Sequence, residues 1–291
     1  MQKGNTPLPY IVKGKDGKPH MMKGMVSAST VAWIMYQKYC NSNPLYRQEK
    51  EWENLYGLKV TRATFANWVI DNADEFFRPV YSELKRQMLA RESLMGDETP
   101  IQVLHELDRK AQTKSYMWVF RTGEDSGLPI ILYNYTQTRA GENALKFLGD
   151  YGGYFMCDGF GGYNKLPRIK RCSCWAHVRR CFLEAIPAEK KEDLAEPAVQ
   201  GCKAFVIGRK NWLFSDQPVG ARTSAVIYSL VQTAKLNGAN PYYYLRYVLE
   251  EMSSYPNCEN LPEQDLQELM PWSGKLKKAV QRYEKNKDRS N

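Results

Sequence analysis

GGYFMCDGFGGYNKLPRIKRCSCWAHVRR, residues Gly152–Arg180, reads as strand, turn, strand and helix start in one run. Tyr154–Cys157 is a short apolar strand that ends on Asp158. Gly159–Gly162 supplies a glycine-rich turn, Lys170–Cys174 a second strand, and Trp175 and His177 open a helix. Asp-Gly behind a strand is by itself a turn signal, because Asp bonds nearby backbone and Gly accepts unusual φ. The same placement presents a carboxylate at a strand end, as a metal ligand requires. Both uses stand until the neighbouring strands are read.

Upstream, strand patterns dominate. Tyr116–Arg121 (YMWVFR) and Ile130–Tyr135 (IILYNY) are rich in aromatic and β-branched residues, with Gly123–Pro129 as the turn between them. Leu94-Met95-Gly96 precedes Asp97, and Ile101, Val103 and Leu104 continue an apolar run. Residues 140–148 read as a short helix. Three meandering strands followed by alternating elements predict an α/β (α+β) core, a mixed sheet with helical cover. In such a sheet the first and fourth strands can be neighbours, which would set Asp97 beside Asp158. Two adjoining carboxylates repel unless a cation lies between them. Mg²⁺ suits that place, since it takes few carboxylates, keeps waters and leaves positions for phosphate oxygens.

Residues 27–92 read as helices. Ser27 or Ser29 can cap a helix with Val31, Ile34, Met35 and Tyr39 at helical spacing. Asn43-Pro44 breaks it, and a second helix covers about Leu45–Leu55. After a turn at Gly57–Thr61, Thr61 caps a third helix with Phe65, Trp68, Val69 and Ala73 on one side. A further helix is expected over about Asp74–Arg91. Helix, Gly-containing turn and helix resemble a helix-turn-helix, in which Arg62, Thr64 and Asn67 would face DNA; a packed helical hairpin has the same pattern. Residues 1–26 form a basic lead-in, and Lys275–Asn291 reads as a basic, frayed end.

The 291 residues carry a net charge of +9 with pI near 9.0, which favours a polyanionic partner. A hydrophobic fraction of 43% is enough for a sizeable core. No run of 18 apolar residues exists, so no membrane helix or membrane partner is expected. The polar start is unlike a signal peptide. Seven cysteines at irregular spacing fit reduced thiols and a cytoplasmic location. Cys172, Cys174, His177 and Cys181 do not have a usual zinc spacing, so packing roles and no zinc are expected. From Asn164 through Cys181 there are six basic residues and no acid: Lys165, Arg168, Lys170, Arg171, Arg179 and Arg180. With Arg209 and Lys210 they form a stripe suited to phosphates, the plainer alternative being a solvated positive face. Tyr242-Tyr243-Tyr244 with Leu245, Val248 and Leu249 reads as a packed helix.

Matching blocks then run through most of the chain: PLYRQEKEWENLYGLKVTRATFANWV at 44–69, GDETPIQVL at 96–104, YNYTQTRAGENALKFL at 133–148, GYFMCDGFGGYN at 153–164, CWAHVRR at 174–180, FVIGRKNWLFS at 205–215 and SLVQTAKLNGANPYYYLRYVL at 229–249. In these blocks the sequence resembles bacterial transposases of the insertion sequence 66 family, enzymes of the Asp-Asp-Glu type with a ribonuclease-H-like core. The resemblance implies that Asp97 and Asp158 are the first two catalytic acids and ligands of Mg²⁺ or Mn²⁺. It implies DNA as substrate and partner, cleavage at element ends followed by strand transfer, and a nucleoid-associated place in a bacterial cytoplasm. Homo-oligomers or helper proteins of the same element are further partners it implies. His177 and Arg179, in CWAHVRR, would support DNA or the site.

Two departures from the family pattern stand out. The usual N-terminal helical segment and cysteine-rich module find no match. A helical insertion after CWAHVRR, which ends in the third catalytic acid, is also missing; the matching position is Val199. Glu196 is a nearby acid, a surrogate by proximity only, and Pro197 interrupts a helix there. The expected division is 1–26 lead-in, 27–92 helix-turn-helix-like region, 93–200 incomplete catalytic core, 201–252 C-terminal transposase segment and 253–291 basic tail. The expected activity is weak or absent, the alternative being a non-catalytic DNA-binding remnant or an inhibitor of the full-length enzyme.

Overall fold

The computed structural model describes residues 21–22, 26–123, 127–178 and 215–288. Two short strands, β1 (Met21–Met22) and β2 (Val26–Ser27), pair antiparallel ahead of α1 (Ala28–Tyr39), whose first turn Ser27 caps by accepting from the Thr30 amide. Helices α2 (Leu45–Tyr56) and α3 (Arg62–Asn72) follow. The single helix expected over Asp74–Arg91 is instead a wide π turn, Ala73–Phe77, running into α4 (Arg78–Leu89). Pro79 accounts for the break in register, since it has no N–H to give the carbonyl of Glu75.

The sheet comprises β3 (Ser93–Gln102), β4 (Lys114–Thr122), β5 (Ile131–Thr136), β6 (Tyr154–Cys157) and β7 (Lys170–Ser173), with α5 (Gly141–Leu148) between β5 and β6. Its order is β5-β4-β3-β6-β7. The first three strands pair antiparallel, whereas β6 joins β3, and β7 joins β6, in parallel. The first and fourth strands are therefore neighbours, as the sequence pattern allowed. This is the ribonuclease-H-like mixed sheet with flanking helices. On one face Phe147 of α5 stacks on Phe120 of β4 at 4.0 Å between ring centroids.

Helices α6 (Pro218–Leu236), α7 (Pro241–Met252), α8 (Glu263–Glu268) and α9 (Gly274–Asp288) complete the described fold. Strand β5 is an edge, and an uncovered edge exposes unpaired backbone groups. Side chains of α6 cover it. Ser229 Oγ accepts from the Tyr133 amide at 2.8 Å, and Thr233 Oγ1 accepts from the Ile131 amide at 3.2 Å and donates to its carbonyl at 3.0 Å. Asn237 donates to the Pro129 carbonyl at 2.8 Å. These positions recur every four residues, which puts them on one face of the helix. The N-terminal helices join the same core: Tyr39 of α1 meets Tyr228 of α6 edge-on at 5.0 Å and shares a hydrogen bond with Ser224.

The C-terminal end departs from the frayed tail expected. In α9, Leu276, Ala279 and Tyr283 are buried, a stripe at helical spacing hidden among lysines.

Candidate functional site

The β3–β6 register pairs Leu94 with Phe155 and Met95 with Met156. Carried on two residues, it sets Asp97 against Asp158, where β6 ends. Parallel neighbours in register point to the same face, about 5 Å apart in backbone spacing. Past Asp97 the chain returns from beyond the described residues: Ser215, the last residue of FVIGRKNWLFS, bridges Val103 in parallel, donating to the Gln102 carbonyl at 2.9 Å and accepting from the Leu104 amide at 3.0 Å. The Glu92 carbonyl accepts from Tyr154 of β6. Residues 92 and 102 are an even number apart, so their carbonyls leave β3 on one side. Asp97 and Glu98 thus sit on the edge of β3 between the end of β6 and the returning chain.

The Asp158 turn is tightly braced. Asp158 Oδ1 accepts from the Phe160 amide at 2.9 Å. Arg171 donates to the carbonyls of Asp158 (2.7 Å) and Phe160 (3.2 Å) and to Asn164 Oδ1. Gly161–Lys165 forms a 3₁₀ turn, and Gly162 abuts Gly141 at the start of α5: a Cβ on Gly141 would lie 2.1 Å from the Gly162 carbonyl oxygen. That close approach holds Arg139, two residues upstream, against the Asp158 turn.

Around the aspartates lies a set of residues that the sequence reading did not single out. The Glu98 side chain is 1% exposed; Arg139 Nε donates to its Oε1 at 2.6 Å, and Nη2 makes an ion-pair contact with the same oxygen at 2.5 Å. Tyr163 donates to Glu98 Oε2 at 2.6 Å. Arg139 Nη2 also lies 3.6 Å from Asp158 Oδ2, and its guanidinium rests 4.1 Å from the Phe160 ring centroid. Burial lifts the Glu98 carboxyl above its ordinary range, against the pull of Tyr163 and Arg139, with the negative Asp158 adding to the rise. Burial also opposes the charge on Arg139, yet the bond and charge of Glu98 outweigh it and hold the guanidinium above its usual value. Burial raises the Tyr163 hydroxyl, and the charges of Glu98, Asp97 and Asp158 raise it further. GDET and TRAGEN hold Glu98 and Arg139 in the quoted blocks, but nothing in either block marks its charge as buried.

Of the other nominated residues, Arg171 braces the Asp158 turn and His177 adjoins Asp97. His177 Nε2 stands 4.0 Å from Asp97 Oδ2. Lys165 pairs with Glu142, Arg168 with Asp150 at 3.0 Å, and Lys170 lies over the Tyr154 ring. Arg62 and Asn67 are exposed on α3 and help line a cleft of about 480 Å³ shared with α1 and the start of α6. The Thr64 hydroxyl is engaged with Thr61. Glu196, Arg179, Arg180, Arg209 and Lys210 lie outside the described residues. Cys172 and Cys174 are free thiols. Among the described residues, no group of three His, Cys, Asp or Glu is arranged to hold a metal, and no helix is long and apolar enough to cross a membrane.

Comparison with known proteins gives two family matches. The Transposase IS66 family matches residues 23–204, and the IS66 C-terminal element matches residues 229–272. The chain belongs to the IS66 transposase family. It is similar to the uncharacterized proteins y4qI and y4hP of Sinorhizobium fredii. Identity to y4qI is 21%, over 91% of this chain and 67% of that protein; identity to y4hP is 22%, over 89% and 64%. The chain thus spans about two thirds of the length of these relatives. The match to y4qI runs over 373 residues, more than this chain's 291, so the relative carries residues inside the matched span that have no counterpart here. The C-terminal element of the family begins at Ser229, the residue whose hydroxyl accepts from the β5 backbone.

Proposed function

We propose that this IS66-family chain acts on DNA by metal-dependent phosphoryl transfer, with Asp97 and Asp158 as the metal-holding acids, and that its catalysis is weak. The observation that carries the proposal is the parallel β3–β6 register, which, extended two residues past its last pair, sets Asp97 beside Asp158 just after β6 ends. Two carboxylates, as hard oxygen donors, fit one Mg²⁺ or Mn²⁺ that keeps its remaining positions for water and phosphate. Such an ion, when bound, neutralises charge on the reacting phosphate; in-line transfer otherwise depends on positioning. For that positioning, Arg171 and the Phe160 amide fix Asp158, and β4 and β6 fix Asp97. A second, equally clamped ion would call for a third acid. Glu98, the buried carboxylate next to the pair, is committed to Arg139 and Tyr163.

DNA contact is assigned, as part of the same proposal, to residues 27–92 through Arg62, Thr64 and Asn67, and to the basic stripe. Lys165 and Arg168 would exchange exposed carboxylate partners for phosphates, a change that costs little at the surface. Arg171 would act from within, by holding the turn. The alternative reading, a DNA-binding remnant without catalysis, draws on Val199, which stands where the family carries its third acid. Cleavage of an end-labelled terminus of the element, with Mn²⁺ or Mg²⁺ and with chelator, separates the two. Slow cleavage lost with chelator and in Asp158→Asn supports the proposal. Salt-sensitive binding without cleavage supports the remnant, and fast strand transfer refutes weak catalysis.

A further inference from the structure

On the reading just given, Asp158 holds a divalent cation, yet a cation of the chain's own already stands beside it. Arg139 is anchored on Glu98 by a hydrogen bond of 2.6 Å and an ion-pair contact of 2.5 Å, and it rests over Phe160. Its 3.6 Å approach to Asp158 is too long for a hydrogen bond and short enough for an ionic contact. Glu98 therefore keeps the arginine, and Asp158 receives its field. We propose that Arg139 is the resident counter-ion of this acidic cluster and sets how tightly Asp158 takes a divalent ion.

The geometry gives the sign. In the metal-free protein the guanidinium offsets the repulsion between Glu98 and Asp158. When a divalent ion enters at Asp158, the same guanidinium repels it. The arginine cannot withdraw freely, because the Gly141–Gly162 contact pins the chain two residues on and, among the described residues, Glu98 has one other side-chain partner, Tyr163. Arg139 is thus a positioning residue that holds the site together without metal at the expense of metal affinity. Its 42% side-chain exposure tempers the effect through solvent screening.

The inference rests on Asp158 being a ligand, so the test carries that reading separately. Mn²⁺ binding to the full chain would be followed by the loss of the free-ion paramagnetic resonance signal, alongside thermal melting with and without Mn²⁺. Arg139→Gln should bind Mn²⁺ about tenfold more tightly than wild type. It should also melt lower without metal and gain more from Mn²⁺. Arg139→Lys, which keeps the charge, should stay near wild type. Unchanged or weaker Mn²⁺ binding by folded Arg139→Gln overturns the proposal. If that variant does not fold, the same change is made beside Glu98→Gln, where no buried charge is stranded, and must again tighten Mn²⁺ relative to Glu98→Gln alone. Asp158→Asn should lose Mn²⁺. Full retention there refutes Asp158 as a ligand whatever Arg139 does, and no binding by any variant removes both ideas.

Discussion

In the function proposed above, the acidic cluster and the α2–α3 segment both serve nucleic acid, and they are built in opposite ways. The cluster is assembled from four distant stretches, 97–98, 139, 158–163 and 171, joined by hydrogen bonds, ion pairs, a cation–π contact and a close backbone approach. The α2–α3 segment is local. Gly57 ends α2 with a left-handed φ of 67°, and Thr61 starts α3 by accepting from the Thr64 amide at 3.2 Å. Around that turn Leu55, Tyr56 and Leu58 are 67, 65 and 50% exposed. A site that must fix charges to a fraction of an ångström draws on the sheet, whereas a surface that meets a long polymer needs only its caps.

That contrast predicts a graded response to substitution. The largest loss should follow Gly141→Ala, because the new Cβ meets backbone that cannot rotate away; about 3 kcal/mol is expected, as for overpacking in a tight core, read by chemical denaturation. Thr233→Val should cost about 2 kcal/mol, since it strands the buried Ile131 amide at the covered sheet edge. Thr61→Ala removes only a helix cap and should cost about 1 kcal/mol. Leu55→Gln, on the open turn, should change stability by less than about 0.5 kcal/mol. A reversal of this order, with the turn more sensitive than the Gly141–Gly162 contact, would break the distinction between the two regions.

Much of the fold was legible because its signals are local. Tyr154–Cys157 alternates cleanly into a glycine turn, and the aromatic strands Lys114–Thr122 and Ile131–Thr136 differ from their expected bounds by one or two residues. The aspartate pair was legible because each residue closes or interrupts a recognisable strand. Glu98 and Arg139 were not. A Glu after Asp97 reads as a solvent-facing position, and its burial arises from Tyr163 and Arg139, which the fold brings 65 and 41 residues across the sequence. The same lack of tertiary context hid the buried stripe of α9 among its lysines and the hydroxyl ladder of α6, whose Ser229 and Thr233 look like ordinary helix-face residues. Propensity cannot announce a helix that seals a sheet edge.

The most direct measurement is the number of Mn²⁺ ions bound per chain, in wild type and in Asp97→Asn and Asp158→Asn. One ion per chain, lost with either substitution, is the predicted result. Two tightly held ions, or one that survives both substitutions, would contradict an Asp97–Asp158 site that lacks a third acid.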